Sequence, residues 1–241
     1  MHKITILFLL ITSVLFSQKV YHFDYMLEYE YRNTSDSDVE TRYILTSSDQ
    51  DHYMIARKED ENMLAIHFVN PEGVYIMGSV NKDEFLKTEN YFAECKDVFA
   101  HTNPYKHLVK DYEFIEQPDT LIDGVIHSYY ILKYRNPKKE KRKRIARNHY
   151  IISPQTEYHD PVFIHPTAYE EWKTEGAVPN GIFRNKYTID LNGRKSLIYK
   201  LKKIHKIDKF LQHPEGCNTE NPTLIQMRTI DGVPSGYEIY H

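Results

Sequence analysis

Three histidines in the second half of the chain, His149, His159 and His165, have side chains suited to metal chemistry. Asp160 stands beside the second of them, and Glu170 follows the third. Neutral imidazole and carboxylate groups are ligands for a zinc-like divalent ion, and such a centre would make the protein a metal-dependent hydrolase. The spacings of ten and six residues match no compact ligand motif. The alternative is that these histidines are ordinary groups in loops and on strand faces.

Compact signatures of catalysis are absent from the sequence. It contains no Gly-x-Ser-x-Gly nucleophile turn, no glycine-rich phosphate loop, no Gly-x-Gly-x-x-Gly turn, no His-Glu-x-x-His and no Cys-x-x-Cys. A catalytic site assembled from distant residues stays open, because such sites are recognised by geometry and not by order in the chain. The sequence therefore favours a non-catalytic protein, and it predicts no cofactor.

A cluster of positive charge lies in the loop between two predicted strands, Val125 to Arg135 and Lys143 to Ser153, and at the start of the second strand. Its members are Lys138, Lys139, Lys141, Arg142, Lys143 and Arg144. A basic hairpin tip of this kind could contact an anionic surface such as lipid headgroups or polyanionic glycans. The alternative is a solubilising tip, since lysines commonly protect strand edges from aggregation.

An aromatic alternation near the start of the chain gives the clearest period in the sequence. Between residues 20 and 31 every second residue is aromatic or leucine, and most of the others are polar. This pattern predicts a half-buried strand with one wet face. On a curved sheet the aromatic face could line an apolar groove. The predicted ligand-binding residues are Tyr21, Phe23, Tyr25, Leu27, Tyr29, Tyr130 and Leu132. The alternative is that these side chains simply fill the core.

Short apolar runs separated by polar turns follow between residues 41 and 80, which indicates an antiparallel meander. The period then changes. Phe85, Phe92 and Phe99 recur at steps of seven residues with charges between them. This spacing predicts an amphipathic helix from about Lys82 to Ala100, with its aromatic stripe on the sheet.

The second half of the chain returns to strand patterns. Thr167-Ala168-Tyr169-Glu170 has the form of a capping box and predicts a short helix that ends near Gly176. The Asn192-Gly193 turn predicts a hairpin between the runs 183–190 and 196–207, and one or two short strands are expected after residue 222. The predicted class is mainly β (α+β). We expect a curved antiparallel sheet, or half-open barrel, with one amphipathic helix packed on its concave face.

The first seventeen residues have the pattern of a cleaved secretory signal. Lys3 gives a positive start, residues 4–16 form an apolar run, and Ser17 is a small residue at the expected cleavage point. The run is shorter than the ~20 residues that a membrane span takes. We expect residues 18–241 to form a single β-rich domain without a transmembrane segment, exported to the periplasm or outside the cell. The formal net charge of −3 gives no argument for a nucleic-acid partner.

Two cysteines, Cys95 and Cys217, are present in the chain. An exported protein meets an oxidising compartment, in which their thiols could pair. A bond between them would close a long loop and stabilise the fold by about 4 kcal/mol in the chain-entropy model. The alternative is two unpaired thiols that lie far apart.

The predicted layout resembles the lipoprotein-carrier type of fold, the LolA/LolB-like half-barrel, or an uncharacterised secreted family related to it. The shared features are the signal peptide, the long first strand (Tyr21 to Tyr31), the antiparallel strands, the helix in the concavity and the hairpin at Asn192-Gly193. The strand entry Ile122-Asp123-Gly124-Val125, followed by Tyr129 and Tyr130, is similar to those of the related secreted families. The resemblance implies binding or transport of a hydrophobic or lipid-linked group without covalent chemistry. Fold analogy alone is an associational argument for function.

Together these observations predict an exported, non-catalytic binding protein for a hydrophobic or lipid-like ligand. The expected partners are a hydrophobic small molecule or lipid, and an envelope protein. The first alternative is an envelope protein-interaction or assembly module that uses exposed strand edges. The second alternative is a metal-dependent hydrolase built on His149, His159 and His165.

Overall fold

The computed structural model describes residues 18–71, 73–100, 102–103, 105–217, 225–230 and 233–239. The signal peptide predicted for residues 1–17 lies outside these ranges. Within them, no helix has the length and apolar character needed to cross a membrane.

The described residues form strands and short helices. The strands are β1 (Gln18–Thr34), β2 (Glu40–Thr46), β3 (Tyr53–Lys58), β4 (Met63–Asn70), β5 (Val74–Asn81), β6 (Asn90–Phe92), β7 (Val98–Ala100), β8 (Tyr112–Ile122), β9 (Val125–Tyr134), β10 (Arg147–Ile152), β11 (Phe183–Ile189), β12 (Lys195–Pro214), β13 (Ile225–Ile230) and β14 (Val233–Ile239). The helices are α1 (Lys82–Lys87), α2 (Pro137–Lys143) and α3 (Pro166–Glu175), and single 3-10 segments lie at Cys95–Asp97, Lys106–Asp111 and Pro154–Thr156.

One open, curved sheet contains twelve of these strands, in the order β7-β5-β4-β3-β2-β1-β12-β11-β10-β9-β8. All neighbours in this order are antiparallel, and β6 pairs in parallel with β12 beside it. The strands β13 and β14 form a separate hairpin. This architecture confirms the predicted fold class.

The long strand β1 changes face part-way along its length, contrary to the predicted single aromatic stripe. The register of its pairing with β12 shifts between Phe23 and Tyr25. Phe23 packs in one core cluster, whereas Leu27 packs in another on the opposite side of the sheet. A register shift of this kind reverses the side to which alternate residues point. We call the side of Phe23 the first face and the side of Leu27 the second face.

Each face of the sheet is covered by a different part of the chain. On the first face, Phe23 and Phe68 pack with Phe85 of α1. On the second face, residues of the segment between β10 and β11, among them Ile182, pack against Leu27 and its neighbours. A third cluster on the second face consists of Tyr130, Leu132, Tyr150, Ile152, Phe163, Ala168, Val178 and Phe183. The buried side chains of β1 on both faces therefore belong to hydrophobic core clusters.

The helix predicted from Lys82 to Ala100 is wrong in extent, because α1 ends at Lys87. Phe85 is fully buried, but Phe92 is 71% exposed on β6, so the aromatic residues do not form one stripe. The backbone of Asn90–Phe92 pairs with β12, and this long-range pairing overrides the local helical period. The ammonium group of Lys209 donates to backbone carbonyl groups of Phe85, Leu86 and Thr88, which satisfies the end of the helix.

The stretch Pro137–Lys143, predicted as a hairpin loop up to Lys141 and as the start of a strand at Lys143, is the helix α2. Pro137 occupies its first turn, and the side chain of Asn136 accepts a hydrogen bond from the backbone N–H of Lys139. Arg144 ends the helix in the left-handed conformation. Proline at the start and an Asn cap are favourable for a helix, and both stood in the sequence.

The predicted short helix and hairpin of the second half are present. The helix α3 begins after His165, whose Nδ1 accepts from the backbone N–H of Ala168, and not after the expected Thr167. It ends at Gly176 in the left-handed conformation, as predicted. The Asn192-Gly193 turn joins β11 to β12.

Cys95 and Cys217 are joined by a disulfide bond. The bond connects the 3-10 segment after β6 to the chain just beyond β12. Cys217 also packs against the first-face core. The segment from α1 to β7, which covers the first face, is therefore attached to the chain at the end of β12.

Candidate functional site

A groove of about 630 Å³ opens at one end of the sheet. Three pieces of chain form it: the end of β1 and its turn, the residues between α2 and β10, and the turn between β11 and β12. Two other cavities among the described residues are far smaller, at about 10 and 30 Å³. The residues that line the groove are Asn33, Thr34, Ser35, Asp36, Arg144, Ala146, Asp190, Leu191, Asn192, Gly193, Arg194, Lys195, Ser196 and Leu197.

The lining of the groove combines apolar, cationic and acidic side chains, the acidic ones being Asp36 and Asp190. Leu191 and Leu197 supply apolar surface. Arg144 and Lys195 supply positive charge, and neither forms an ion pair among the described residues. The Nζ atom of Lys195 lies 3.5 Å from the ring centroid of Tyr187. Burial lowers the pKa of this lysine.

Two walls of the groove have an unusual backbone. Leu197 has φ +47° and Arg144 has φ +55°. Leu197 lies where the β11–β12 register shifts, between the paired residues Ser196 and Tyr199. Non-glycine residues with positive φ cost about 1–2 kcal/mol, so the surrounding fold must hold them there. Leu197 does pack against the second-face core.

The basic helix α2 is next to the groove, because Arg144, the residue that follows the helix, lines the groove. All six cations predicted to contact an anionic surface are exposed: Lys138, Lys139, Lys141, Arg142, Lys143 and Arg144. None of them forms an ion pair within the described part of the chain. Glu140, the acidic residue of the helix, is buried and accepts two hydrogen bonds from Arg147, at 2.9 and 2.8 Å. The exposed side of α2 therefore carries uncompensated positive charge.

The predicted aromatic ligand-binding residues do not line one surface. Tyr21 and Phe23 lie in the first-face core, and Leu27 and Tyr29 lie in the second-face core. Tyr130 and Leu132 belong to the third cluster. All six are buried.

Tyr25 is the one residue of that predicted set that is only partly buried. Its ring centroid lies 5.5 Å from that of Tyr158 and 5.6 Å from that of His159.

The three histidines considered as metal ligands lie in three separate surroundings. His149 is on the first face, stacked at 4.8 Å on Tyr187 and hydrogen-bonded to the Tyr129 hydroxyl at 2.6 Å. Burial, and then the charges of Lys195 and Arg147, lower the pKa of His149 to about 4.

The other two histidines lie in the segment between β10 and β11, which covers the second face, and form hydrogen bonds there. His159 hydrogen-bonds the hydroxyl of Thr46 through Nε2, at 2.7 Å, and its Nδ1 lies 2.5 Å from the carbonyl oxygen of Asp160. His165 caps α3. Among the described residues, no group of three or more His, Cys, Asp or Glu side chains is placed to hold a metal ion. The structure therefore does not bring the predicted ligand set together.

A cationic cluster that the sequence analysis did not find lies on the second face. Arg42 of β2 and Lys186 of β11 reach over the rings of Tyr31 and Tyr199 from opposite sides of the β1–β12 pair. The Arg42 guanidinium donates to the Tyr199 hydroxyl at 2.7 Å. Lys186 is only 8% exposed.

No protein-family model and no curated protein sequence matches the chain. Among solved structures, MucB is similar over 76% of this chain and 53% of its own, with 6% identity and a TM-score of 0.39. PNGF-II is similar over 83% of this chain and 32% of its own length, with 8% identity and a TM-score of 0.39. A putative outer membrane lipoprotein-sorting protein domain from Vibrio parahaemolyticus is similar over 77% and 84%, with 10% identity and a TM-score of 0.28.

The chain spans about half the length of MucB and about one third of PNGF-II. TM-scores below 0.5 at such low identity assign neither a family nor a function. One of the similar structures is a lipoprotein-sorting domain. Membership of the lipoprotein-carrier family stays a prediction from the sequence.

Proposed function

We propose that this protein is an exported, non-catalytic binding protein for a small amphiphilic ligand, which it holds in the groove at the end of the sheet. The observation that carries the proposal is the groove itself. Its volume of about 630 Å³ falls in the range of ordinary ligand sites, which is roughly 300–1,000 Å³. The predicted ligand site on the aromatic face of β1 is not part of this proposal, because those side chains are packed in the cores.

The chemistry of the lining supports a ligand with an apolar part and an anionic part. Leu191 and Leu197 offer contacts to an apolar group. Arg144 and Lys195 offer two cations, and the Arg194 guanidinium is already paired with Asp190 at 2.7 Å. An anionic group beside the first two cations would gain a charge-assisted hydrogen bond without breaking an existing ion pair.

The basic helix α2 supports the same proposal at longer range. A run of exposed cations attracts anionic ligands and surfaces, at about 1 kcal/mol per cation near an anionic membrane. We assign to α2 the role of holding the mouth of the groove near such a surface. The leader predicted for residues 1–17 supports a location in the envelope or outside the cell.

The proposal is tested with 1-anilinonaphthalene-8-sulfonate, an amphiphilic anion whose fluorescence rises in apolar surroundings. We expect one equivalent to bind to the purified 18–241 chain. Leu191→Asp should weaken binding about tenfold, because it removes apolar contact and places a negative charge near the sulfonate. The matched control is Leu121→Asp, which changes another exposed leucine on a distant hairpin and should bind like the parent. Equal affinity of L191D and the parent would contradict the proposal.

A protein-interaction role is the second candidate, and the edge of the sheet favours it. The strand β8 ends the sheet on one side of the described structure. Leu121 at its end is 69% exposed, and Ile126 on the neighbouring strand is 63% exposed. If L121D lowers the sedimentation coefficient of the protein and the dye does not bind, this role replaces the binding role. The metal-dependent hydrolase is not proposed, since its histidines lie apart.

A further inference from the structure

The cationic cluster on the second face joins residues from strands that are not neighbours. Lys186 of β11 pairs with Tyr199 of β12, and Tyr199 pairs with Tyr31 of β1. Arg42 lies one strand further on, in β2. Three strand-to-strand steps of about 4.8 Å separate the backbones of Arg42 and Lys186. Their long side chains both reach the ring of Tyr199.

The Arg42 guanidinium is held in place by its neighbours, but not all of its N–H groups have a hydrogen-bond partner. Its central carbon lies 3.2 Å from the ring centroid of Tyr31, and one Nη donates to the Tyr199 hydroxyl at 2.7 Å. Its Nε is buried and has no hydrogen-bond partner. The side chain as a whole is 16% exposed. A planar, fixed guanidinium that is still partly exposed is well suited to bind a planar or tetrahedral oxyanion.

Lys186 is more deeply buried than Arg42, and its positive charge has fewer polar or acidic neighbours. Its Nζ lies 5.3 Å from the ring centroid of Tyr199, and no described residue gives it a hydrogen bond or an ion pair. Burial, and then the charge of Arg42, lower the pKa of Lys186 to about 7. An ammonium group buried without a counter-charge is costly, and proteins normally pair such a group.

The histidines near these two cations supply no negative charge. Burial, and then the charge of Lys186, lower the pKa of His165 to about 3. Burial, and then the charges of Arg57 and Arg42, lower the pKa of His67 to about 4, so both imidazoles are neutral near pH 7. Nε2 of His67 is also buried without a partner. Among the described residues, the one carboxylate in ion-pair range of the cluster is Glu40, 3.7 Å from Arg42 and itself 44% exposed. The cluster thus has an excess of buried positive charge.

We propose that Arg42 and Lys186 form a binding site for an oxyanion, a carboxylate or phosphate group, which supplies the missing negative charge above Tyr31 and Tyr199. The anion would accept from a terminal N–H of the Arg42 guanidinium, whose side chain is 16% exposed, and from the ammonium group of Lys186. The site does not depend on the groove, because neither residue lines it. The oxyanion belongs either to a free small ion or to the headgroup of a lipid.

The test measures thermal unfolding of the 18–241 chain in sodium chloride, sodium acetate and sodium phosphate at one pH and equal ionic strength. We expect phosphate or acetate to raise the Tm of the parent by several degrees over chloride. Lys186→Met should lose this shift and, in chloride, unfold at a higher temperature than the parent, because an uncompensated buried charge has been removed. The matched control is Lys202→Met, which removes an exposed lysine that pairs with Glu30 at 3.0 Å. It should keep the full shift.

A parent without a shift in either anion would overturn the proposal, and so would a K186M protein with the parental shift. A lower Tm of K186M in chloride would show a structural lysine and count against the site. If K186M does not fold, Arg42→Met takes its place in the same comparison. A further series with dihexanoylphosphatidic acid separates the two sources of the anion. A shift larger than that of inorganic phosphate, still lost in K186M, indicates a lipid headgroup, and an equal shift indicates the free ion.

Discussion

At the scale of single residues, the side chains that bear most on function are charged groups buried in the hydrophobic core. Lys186 stands beside Tyr199 in the second-face core. Buried apolar replacements of such charges usually make proteins more stable, and function is the common reason for keeping the charge. Lys209 offers a contrast, since its equally buried ammonium group donates to the carbonyl groups at the end of α1.

The pH dependence of stability gives a prediction for Lys186. Its pKa is about 7 in the folded protein and about 10.4 in an unfolded chain. The unfolded state therefore binds more protons between pH 7 and pH 10, and the parent gains stability with rising pH in that window. Below pH 7 the cost of the buried charge is complete. The stability advantage of K186M over the parent should thus be larger at pH 6 than at pH 9, by about 2–3 kcal/mol.

Urea unfolding of the parent and K186M at the two pH values measures this difference. Subtracting the free energies of unfolding of the two proteins removes the contribution of every group that titrates alike in both. An advantage of K186M that is the same at pH 6 and pH 9 would mean that Lys186 keeps an ordinary pKa in the fold.

At the scale of elements, local sequence signals predicted strands and turns well and predicted faces poorly. The alternation of β1 and the Asn192-Gly193 turn are properties of neighbouring residues, so they could be recognised. The face change after Phe23 depends on how β1 is registered against β12, which is far away in sequence. The same holds for Phe92, whose strand is defined by its pairing with β12.

The candidate sites were harder to predict for the same reason. The groove is built from three separate stretches of chain, and the Arg42–Lys186 cluster joins two strands that are more than 100 residues apart in the sequence. The basic residues of α2 were identified, but their helical conformation was not. The residues that begin this helix, the Asn136 cap and Pro137 in the first turn, are local features of the sequence.

The segment that covers the second face gives a prediction at this scale. Gly181 has φ +142°, and a Cβ atom there would lie 2.5 Å from the Ile152 Cγ2 and 3.2 Å from the Ser153 carbonyl oxygen. Gly181→Ala should therefore lower the free energy of unfolding by about 2–3 kcal/mol, through overpacking and backbone strain. Gly78→Ala is the control, since nothing lies within 4 Å of its Cβ position. Chemical denaturation that finds both variants equal to the parent would show that the segment does not pack closely on the sheet.

At the scale of the whole molecule, the disulfide bond adds a covalent link to two regions that the pairing of β6 with β12 already brings together. Cys95 and Cys217 are 122 residues apart, and they fix the cover of the first face to the far end of β12. Closing so long a loop restricts the unfolded chain, so the bond should stabilise the fold by about 2–4 kcal/mol.

The double variant Cys95→Ser, Cys217→Ser tests this contribution. Its free energy of unfolding should be lower than that of the oxidised parent by that amount, and the reduced parent should behave like the variant. Identical urea midpoints for the oxidised parent and the double variant would contradict the expectation.

The pairing of β1 with β12 also sets the order of events when the chain is made. Gln18 pairs with Pro214, about 200 residues later. At a synthesis rate of roughly 5–20 residues per second, β1 leaves the ribosome some 10–40 s before its partner. During this interval β2 can occupy one edge of β1, while the other edge of a long, tyrosine-rich strand has no partner. The centre of the sheet is therefore the last part of the molecule to be completed, and the newborn chain must be protected from aggregation until then.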